Sequence, residues 1–358
     1  MGRPNRRAAV ELIAGVASCV LALSACSGSG SSSSAASTGG SGGKHYTVGF
    51  SNPTGAQTIL QTFQKTLTAA ASRDNITVKA LDAQLDPNKQ VSDVNQFVTQ
   101  HVDAIIVFPL SQDSLAPALN RAKQAGIKVL GFNAILDPNQ KDIAPYDAAF
   151  DQGETFSGAQ LVADYVSQKL GGKGNVLGVG IGVPVPSLQL MVKNFRNGVT
   201  KSGANWLATV SNPTDDIAGG QKAVADALTS HKGDVQAVMA YNDDSAIGAA
   251  VAFKNAGVSN PIITGMNGDP QGVEAIKDGR MSAMVDIVPW REALVGETIV
   301  KRMLNGQSVP KWIGTPVELY TKDNIAKRLD WDAALQQIQS GALSCAKGGG
   351  CPSELSGS

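Results

Sequence analysis

Short apolar runs alternate with longer amphipathic stretches along most of this chain. The first runs cover residues 46–50, 76–81 and 104–108, and β-branched and aromatic residues are frequent in them. Between them, residues 56–71 and 88–100 repeat their apolar positions at helical spacing. Strands that alternate with single helices in this way predict parallel pairing through crossover connections.

The same alternation continues to about residue 304. Further strands are predicted at residues 128–132, 148–150, 175–180, 206–210, 235–240, 262–266 and 281–287. Further helices are predicted at residues 114–125, 155–170, 188–202, 218–230, 245–256, 271–277 and 292–304. Since such βα units fill both halves, we expect an α/β protein of two similar doubly wound parallel-sheet lobes rather than one large sheet.

Polar and aromatic side chains follow several predicted strands, and ligands of open parallel sheets bind beyond the carboxyl ends of the strands. The candidate ligand-binding residues are Ser51, Gln57, Phe108, Asn133, Asp215, Asn242, Asp243, Asn267 and Trp290. Asn and Asp also serve as turn or cap residues at such positions, and that alternative stays open for each of them. We expect Asp244 to cap the helix at residues 245–256.

The N-terminal residues predict export from the cytoplasm. Three arginines precede an apolar run at residues 12–23, as in a secretory signal peptide. The following tetrapeptide LSAC resembles a bacterial lipobox, in which the cysteine, here Cys26, is acylated and becomes the first mature residue. An ordinary signal peptide that happens to contain Cys26 is the alternative.

Residues 27–43 are almost only Ser, Gly, Ala and Thr, a composition that behaves as a flexible chain. We therefore expect a lipoprotein signal peptide at residues 1–25 and a flexible tether at residues 26–45. Such a protein would lie outside the cytoplasm, lipid-anchored to the outer face of the bacterial cytoplasmic membrane, or in the periplasm.

Two cysteines, Cys345 and Cys351, stand near the C-terminus in the segment CAKGGGC. Their close spacing and the extracytoplasmic address predict a small disulfide loop. A zinc site would need further ligands nearby, and no His is there. No metal site and no cofactor are therefore predicted.

The charge of the chain argues against nucleic acid as a partner. The 358 residues include 30 basic and 30 acidic side chains. Residues 1–25 hold three Arg and one Glu, so 27 basic and 29 acidic residues remain without them, a net charge of −2. Nucleic-acid binding would need a basic face. The length and the 42% hydrophobic content suit a protein of about two domains.

Five longer segments follow one another along the chain. They are ALDAQLDPNKQVSDVNQFVTQHVDAIIVFPLSQDSL, NRAKQAGIKVLGFNA, AVMAYNDDSAIGAAVAFKNAG, IITGMNGDPQGVEAIKDGRMSAMV and PVELYTKDN. In this order and spacing they resemble the periplasmic sugar-binding proteins of the ribose-binding type, which are the solute receptors of ABC importers. The resemblance covers about residues 46–324.

The resemblance implies a type I periplasmic binding protein fold, whose hinge consists of three crossings between the lobes. The crossings are expected near Phe150, Ile287 and Thr315. The expected parts are a first lobe at residues 46–149 and 288–314, a second lobe at residues 150–287 and 315–342, and a tail at residues 343–358. The resemblance also implies a receptor, expected to be a monomer, that delivers its ligand to an ABC import permease.

The chain departs from the ribose-binding pattern at several positions that contact sugar in that family. Gln57 and Thr58 replace an aromatic pair, Asn133-Ala134 replaces Asp-Arg, and Asn267 replaces an Asp. An Arg expected near Phe195 is absent, and Lys193 or Arg196 would only approximate it.

Carboxylates and Arg bind sugar hydroxyls through charge-assisted hydrogen bonds, so losing several of them predicts a ligand other than a simple pentose pyranose. We expect a small neutral sugar or sugar alcohol. Asp215, Asp243 and Asp286 leave a cationic or amine-bearing ligand open. The alternative function is therefore a receptor of the same fold for an amine, an amino acid or a signalling molecule.

Two other classes of protein fit the sequence poorly. An enzyme is not expected, because the chain has no G-x-S-x-G elbow, Walker loop or HExxH motif, and none of its three His residues follows a predicted strand. A transcription regulator with a two-lobed core would begin with a DNA-binding helix-turn-helix, where this chain has a signal and a tether. A receptor that feeds a sensor kinase stays open beside the importer.

Overall fold

The computed structural model describes residues 44–137, 139–151 and 153–355. The predicted signal peptide and Cys26 lie outside the described residues, and so does most of the predicted tether. In the described part of the chain, no helix combines the length and the apolar character needed to cross a membrane.

Strands and helices alternate through both halves of the described chain. The strands are β1 (Tyr46–Asn52), β2 (Ile76–Asp82), β3 (Ala104–Val107), β4 (Lys128–Phe132), β5 (Ala148–Asp151), β6 (Asn175–Ile181), β7 (Asn205–Asn212), β8 (Ala237–Ala240), β9 (Ile262–Asn267), β10 (Ala283–Asp286), β11 (Trp312–Gly314) and β12 (Glu318–Thr321). The α-helices are α1 (Thr58–Arg73), α2 (Pro87–Thr99), α3 (Gln112–Gln124), α4 (Ala159–Leu170), α5 (Pro186–Lys201), α6 (Ile217–Ser230), α7 (Asp243–Ala256), α8 (Pro270–Lys277), α9 (Pro289–Leu304) and α10 (Trp331–Ser340).

The strands form two six-stranded sheets, one in each lobe. The strand order is β11-β5-β4-β3-β1-β2 in the first and β12-β10-β9-β8-β6-β7 in the second. Neighbouring strands are parallel, apart from β12, which runs antiparallel to β10. Since β1 lies between β2 and β3, and β6 between β7 and β8, each sheet has a topological switch point where ligands of such folds bind. The prediction of two doubly wound α/β lobes is confirmed.

The chain passes between the two sheets after β5, after β10 and between β11 and β12. The first and third passages are joined, because Thr315 N donates a hydrogen bond to Asp151 O at 3.0 Å. In the second passage Val288 has a φ of +56°, a conformation that a β-branched residue rarely adopts. The passages lie close to the three predicted crossings.

Five phenylalanines pack together in the core of the first lobe, and we call them the phenylalanine cluster. Phe63 of α1 lies against Phe50, Phe132 and Phe150, with ring centroids 5.1, 4.6 and 6.3 Å away. Phe108 meets Phe132 edge-on at 5.3 Å. The amphipathic α1 is thereby fixed on the first sheet by large apolar side chains, which are the strongest contributors to core packing.

The C-terminal helix departs from the expected lobe assignment. The sequence predicts residues 315–342 in the second lobe, but α10 packs against α1 and α9 of the first lobe. Trp331, Ala334 and Ile338 form its buried face. This apolar stripe, at helical spacing, is the face that α10 buries against the first lobe.

A disulfide between Cys345 and Cys351 closes the loop beyond α10. Arg291 of α9 donates from Nε to Gly349 O at 3.2 Å. Arg302, three turns further along α9, donates to Glu354 O at 2.8 Å. The C-terminal loop is thus attached to α9 through backbone carbonyls.

Candidate functional site

A cavity lies between the two lobes, at the carboxyl ends of strands from both sheets. Its volume is about 60 Å³, several times the room that one ordered water needs. Its apolar lining, among the described residues, consists of Pro53, Ile59, Leu60, Leu85, Phe108, Leu110, Ile181, Val185, Leu188 and Ile287. Its polar lining consists of Thr54, Gln57, Asp215, Tyr241, Asn242 and Asn267.

The charge of the lining restricts the ligand. Asp215 is the one carboxylate among the described lining residues, and these include no Lys, Arg or His. Phosphates and dicarboxylates are normally bound by Arg or Lys. The cavity therefore suits a neutral ligand, or one with a positive charge.

Gln57 connects the two walls of the cavity. It precedes α1 as the N-cap residue in an extended conformation, and its side chain makes no cap hydrogen bond. Instead, Gln57 Nε2 donates to the backbone oxygen of Asp215 at 2.6 Å. Since Asp215 belongs to the loop after β7, the two lobes are in direct contact at this point.

Asp215 is the centre of the polar lining. Its φ of +54° turns the loop after β7, and its Oδ1 accepts hydrogen bonds from Tyr241 Oη and from Asn242 Nδ2, the latter at 3.0 Å. Burial raises the pKa of Asp215 to about 6, while the donor Tyr241 acts in the opposite direction. Above that pH the group is a carboxylate, which can only accept hydrogen bonds.

Asn242 serves the helix as well as the cavity. Its Oδ1 accepts from Ser245 N at 2.8 Å, so Asn242 is the N-cap of α7. The prediction that Asp244 caps this helix is wrong, because α7 begins at Asp243 and Asp244 lies in its first turn. The cap holds the amide of Asn242 in place, and its nitrogen is directed at Asp215.

Asp243 lies beneath the lining rather than in it. It is fully buried, and its Oδ2 accepts from Gly268 N at 2.9 Å and from Asp269 N at 2.8 Å. These bonds fix the loop after β9 and with it Asn267, whose Nδ2 donates to Asp269 Oδ2 at 3.2 Å. Asp243 therefore positions a candidate ligand-binding residue and does not face the cavity itself.

Glycine is required at position 268 for two reasons. Its φ is +83°, and a Cβ there would lie 2.4 Å from the Asp286 Cγ atom. Only glycine adopts this backbone conformation without strain, and no side chain fits in the space. The close approach lets Gly268 O accept from Arg328 at 2.7 Å.

Asp286 and Arg328 form a buried ion pair under this loop. Arg328 Nε lies 2.6 Å from Asp286 Oδ2, and the two side chains are 6% and 3% exposed. Trp331 Nε1 donates to the same oxygen at 3.3 Å. We call Asp243, Asp269, Asp286 and Arg328 the carboxylate network.

Burial raises the pKa of each carboxyl group in the carboxylate network. The pKa of Asp286 is raised to about 6, although Arg328 opposes the shift. Asp269 raises the pKa of Asp243 further. In the described part of the chain, no three acidic, His or Cys residues are arranged to hold a metal ion.

The structure brings five of the candidate residues together in the lining and places the others behind it. The five are Gln57, Phe108, Asp215, Asn242 and Asn267. Ser51 is fully buried in β1, and Asn133 follows β4 with a φ of +51° and is 2% exposed. Trp290 is buried in α9, with the guanidinium carbon of Arg291 5.2 Å from its ring centroid. These three residues are buried and are not among the residues that line the cavity.

Several lining residues are not predicted from the sequence. Tyr241 stands directly before Asn242, at the end of a buried strand, and this position was a usable signal. Leu85 and Leu110 follow β2 and β3 at the same edge of the sheet. Val185 and Leu188 start α5 and carry no polar group that would have drawn attention to them.

Comparison with known proteins agrees with this geometry. Residues 48–308 match the periplasmic binding protein domain. The ribose import binding protein of Bacillus subtilis (strain 168) is 26% identical over 281 residues, which are 78% of this chain and 88% of that protein. The xylitol-binding protein of Mycolicibacterium smegmatis is 28% identical over 287 residues, covering 75% of this chain and 73% of that protein.

A solved structure gives the same result for the fold. The periplasmic binding protein component of the arabinose ABC transporter from Shewanella sp. ANA-3, bound to α- and β-L-arabinofuranose, has a TM-score of 0.73 at 23% identity. The match covers 82% of this chain and 97% of that one. The relatives are substrate-binding proteins and not enzymes. The chain therefore belongs to the periplasmic binding protein family and is similar to its ribose-binding members.

Proposed function

We propose that this protein is an extracytoplasmic receptor that binds a small sugar or sugar alcohol between its lobes and delivers it to the permease of an ABC importer. The observation that supports this best is the cavity itself. It lies between two parallel sheets at their carboxyl ends, with neutral amide donors and acceptors and no basic lining residue among those described. Amide and carboxylate groups together suit hydroxyls, which both donate and accept.

The proposed ligand contacts are Gln57, Phe108, Asp215, Asn242 and Asn267. Asn242 and Asn267 present amides to the ligand. Asp215 presents its carboxylate, whose Oδ1 already accepts from Tyr241 and Asn242. Phe108 offers an aromatic surface to C–H groups of the ligand. Closure of the lobes then follows from the three passages between the sheets, which act as the hinge.

The N-terminal part of the proposal concerns membrane attachment. We propose that Cys26 is lipidated and that residues 26–45 tether a monomeric receptor to the outer face of the membrane, close to its permease. The disulfide between Cys345 and Cys351 fits this address, because disulfides persist in oxidising compartments. Mass spectrometry of the native N-terminus tests the anchor, and an unmodified protein that starts elsewhere would refute it.

A thermal-shift screen tests the binding function. Pentoses, hexoses, polyols, amino acids and polyamines are compared, since a ligand that binds only the folded protein raises its melting temperature. We expect a sugar or polyol to give the largest shift. Small-angle scattering with and without that ligand should then show a smaller radius of gyration in its presence.

An amine-bearing ligand is the second candidate, because Asp215 is the one charged group among the described lining residues. Such a ligand would pair its ammonium with this carboxylate. A shift by amines or amino acids alone would favour this candidate and exclude the sugar.

A permease that co-purifies with the receptor would support import, and a sensor kinase in its place would contradict it.

A further inference from the structure

We propose that the ligand has an apolar edge, such as a methyl group or deoxygenated carbons, which faces the first lobe, and that its hydroxyls face the second lobe. This inference rests on the proposed function, that is, on a sugar or polyol as ligand. It is carried by the unequal chemistry of the two walls of the cavity.

The first-lobe wall is almost entirely apolar. It includes Ile59, Leu60, Leu85, Phe108 and Leu110. Leu85, Phe108 and Leu110 follow strands, and Ile59 and Leu60 lie in the first turn of α1. A receptor for a fully hydroxylated sugar would need hydrogen-bonding groups at these positions. A hydroxyl buried against such a surface leaves its hydrogen bond unmade, which weakens binding by roughly fivefold to a hundredfold.

The first-lobe wall contains only two polar side chains among the described residues, and each already makes one hydrogen bond. Thr54 Oγ1 accepts from Ala56 N at 3.2 Å, and this bond shapes the turn after β1. Gln57 Nε2 donates across the cavity to Asp215 O at 2.6 Å. The first lobe thus offers a ligand shape and apolar contact, and few hydrogen bonds.

The second lobe also contributes apolar lining residues, Ile181, Val185, Leu188 and Ile287, but it concentrates its polar groups at the ends of β7, β8 and β9. Asp215, Tyr241, Asn242 and Asn267 lie there. Tyr241 and Asn242 both direct their donors at Asp215, so one compact polar patch results. A ligand that satisfies this patch with one edge turns its other edge to the leucines and isoleucines opposite.

Matched pairs of sugars test the inference directly. We would measure dissociation constants by calorimetry for 6-deoxygalactose against galactose, 6-deoxymannose against mannose, and 2-deoxyribose against ribose. In the pair that binds best, we expect the deoxy sugar to bind at least about fourfold more tightly, the equivalent of one buried methylene group.

Leu85→Asn tests the wall itself. Leu85 is half-buried with a φ of +59°, a conformation that Asn tolerates better than Leu, so the backbone accepts the change. The variant should lose the preference for the deoxy sugar. Leu329→Asn, at a site 38% exposed, is the control and should keep it.

The outcomes distinguish a failure of the apolar-edge inference from a failure of the proposed function. If the fully hydroxylated sugar binds more tightly in every pair that binds, or if Leu85→Asn leaves the preference unchanged, the apolar-edge inference is wrong and the sugar receptor stands. If no sugar or polyol binds and an amine does, the proposed function itself fails, and this inference with it.

Discussion

The two walls of the cavity rest on opposite kinds of chemistry. The phenylalanine cluster packs behind the first-lobe wall and reaches the cavity through Phe108, with ring centroids 4.6 to 6.3 Å apart. Behind the second-lobe wall stands the carboxylate network, held by hydrogen bonds and one buried ion pair. Apolar packing fixes shape without preferred directions, whereas hydrogen bonds fix the directions of individual atoms.

The two lobes therefore have different tasks. The first lobe supplies a rigid apolar surface that does not titrate. The second lobe holds its donors and acceptors in fixed orientations by means of groups that do titrate. Changes among the rings of the phenylalanine cluster should therefore act equally at all pH values, whereas changes in the carboxylate network should depend on pH.

The largest effect is expected from Phe63→Ala, which removes the ring at the centre of the phenylalanine cluster. We expect a loss of roughly 3–5 kcal/mol in the free energy of unfolding, because a large buried side chain leaves a cavity. Urea denaturation measures it at pH 5 and pH 7.5, and the loss should be the same at both. Leu329→Ala, at an exposed site, should change stability by less than about 0.5 kcal/mol. A loss that depended on pH would contradict the assignment.

Arg328→Met should cost roughly 3 kcal/mol at pH 7.5, because it leaves the carboxylate of Asp286 buried without its partner. The loss should be smaller at pH 5. The pKa of Asp286 in the folded protein, about 6, lies above the value of about 3.9 in an unfolded chain. Between these values the native state binds more protons, so the free energy of unfolding falls as the pH rises.

Removing Arg328 raises the pKa of Asp286 further, because the positive charge that favoured its ionised form is gone. The pH range in which the native state binds more protons then extends upwards. The neutral acid at pH 5 tolerates the change better. Arg280→Met is the matched control, because Arg280 pairs with Asp278 at the surface, where both are more than 40% exposed. It should cost less than about 1 kcal/mol. An equal loss for Arg328→Met at both pH values would show that Asp286 does not respond as described.

Two variants of Asn242 distinguish its role as the N-cap of α7 from its role as a ligand contact. Asn242→Ala should lower stability by about 1 kcal/mol through the lost N-cap and weaken ligand binding by roughly 1–3 kcal/mol through an unmade buried hydrogen bond. Asn242→Ser retains the cap, so it should lose affinity and keep its stability. Calorimetry and urea denaturation on both variants measure the two effects. Normal affinity in both would mean that Asn242 is not a ligand contact.

The sequence predicts the parallel sheets well, because their strands are continuous apolar runs and their helices are amphipathic. It does not predict β11, β12 or α10. The two strands are three and four residues long and are defined by the partner strands they meet. α10 docks on the first lobe through its buried stripe around Trp331. An apolar stripe predicts that a helix face is buried, but it does not predict which lobe buries it.

The site was predicted in part for the same reason. Asp215, Asn242 and Asn267 were found because polar residues after strands stand out. Trp290 was included for its aromatic ring, yet its place in the first turn of α9 buries it in the core. Apart from Phe108, the sequence does not predict the apolar lining, since a leucine that faces a cavity looks in sequence like one that faces the core.

The smallest effect is expected where Gln57 of the first-lobe wall meets Asp215 of the second-lobe wall. Gln57→Ala removes the hydrogen bond from Gln57 Nε2 to Asp215 O, and costs no helix cap, because this side chain caps nothing. The bond forms only when the lobes are together, so its loss should weaken the closed state and raise the dissociation constant of the best ligand about two- to tenfold.

Gln61→Ala is the matched control for this change. Gln61 lies one turn further along α1 and also donates to a backbone carbonyl, that of Gly55 at 2.9 Å, but within its own lobe. Its removal should leave ligand affinity unchanged. Calorimetry with both variants decides the question, and scattering of the ligand-free proteins should show a larger radius of gyration for Gln57→Ala alone. Equal affinities for the two variants would mean that Gln57 contributes to binding neither through its contact with Asp215 nor as a ligand contact.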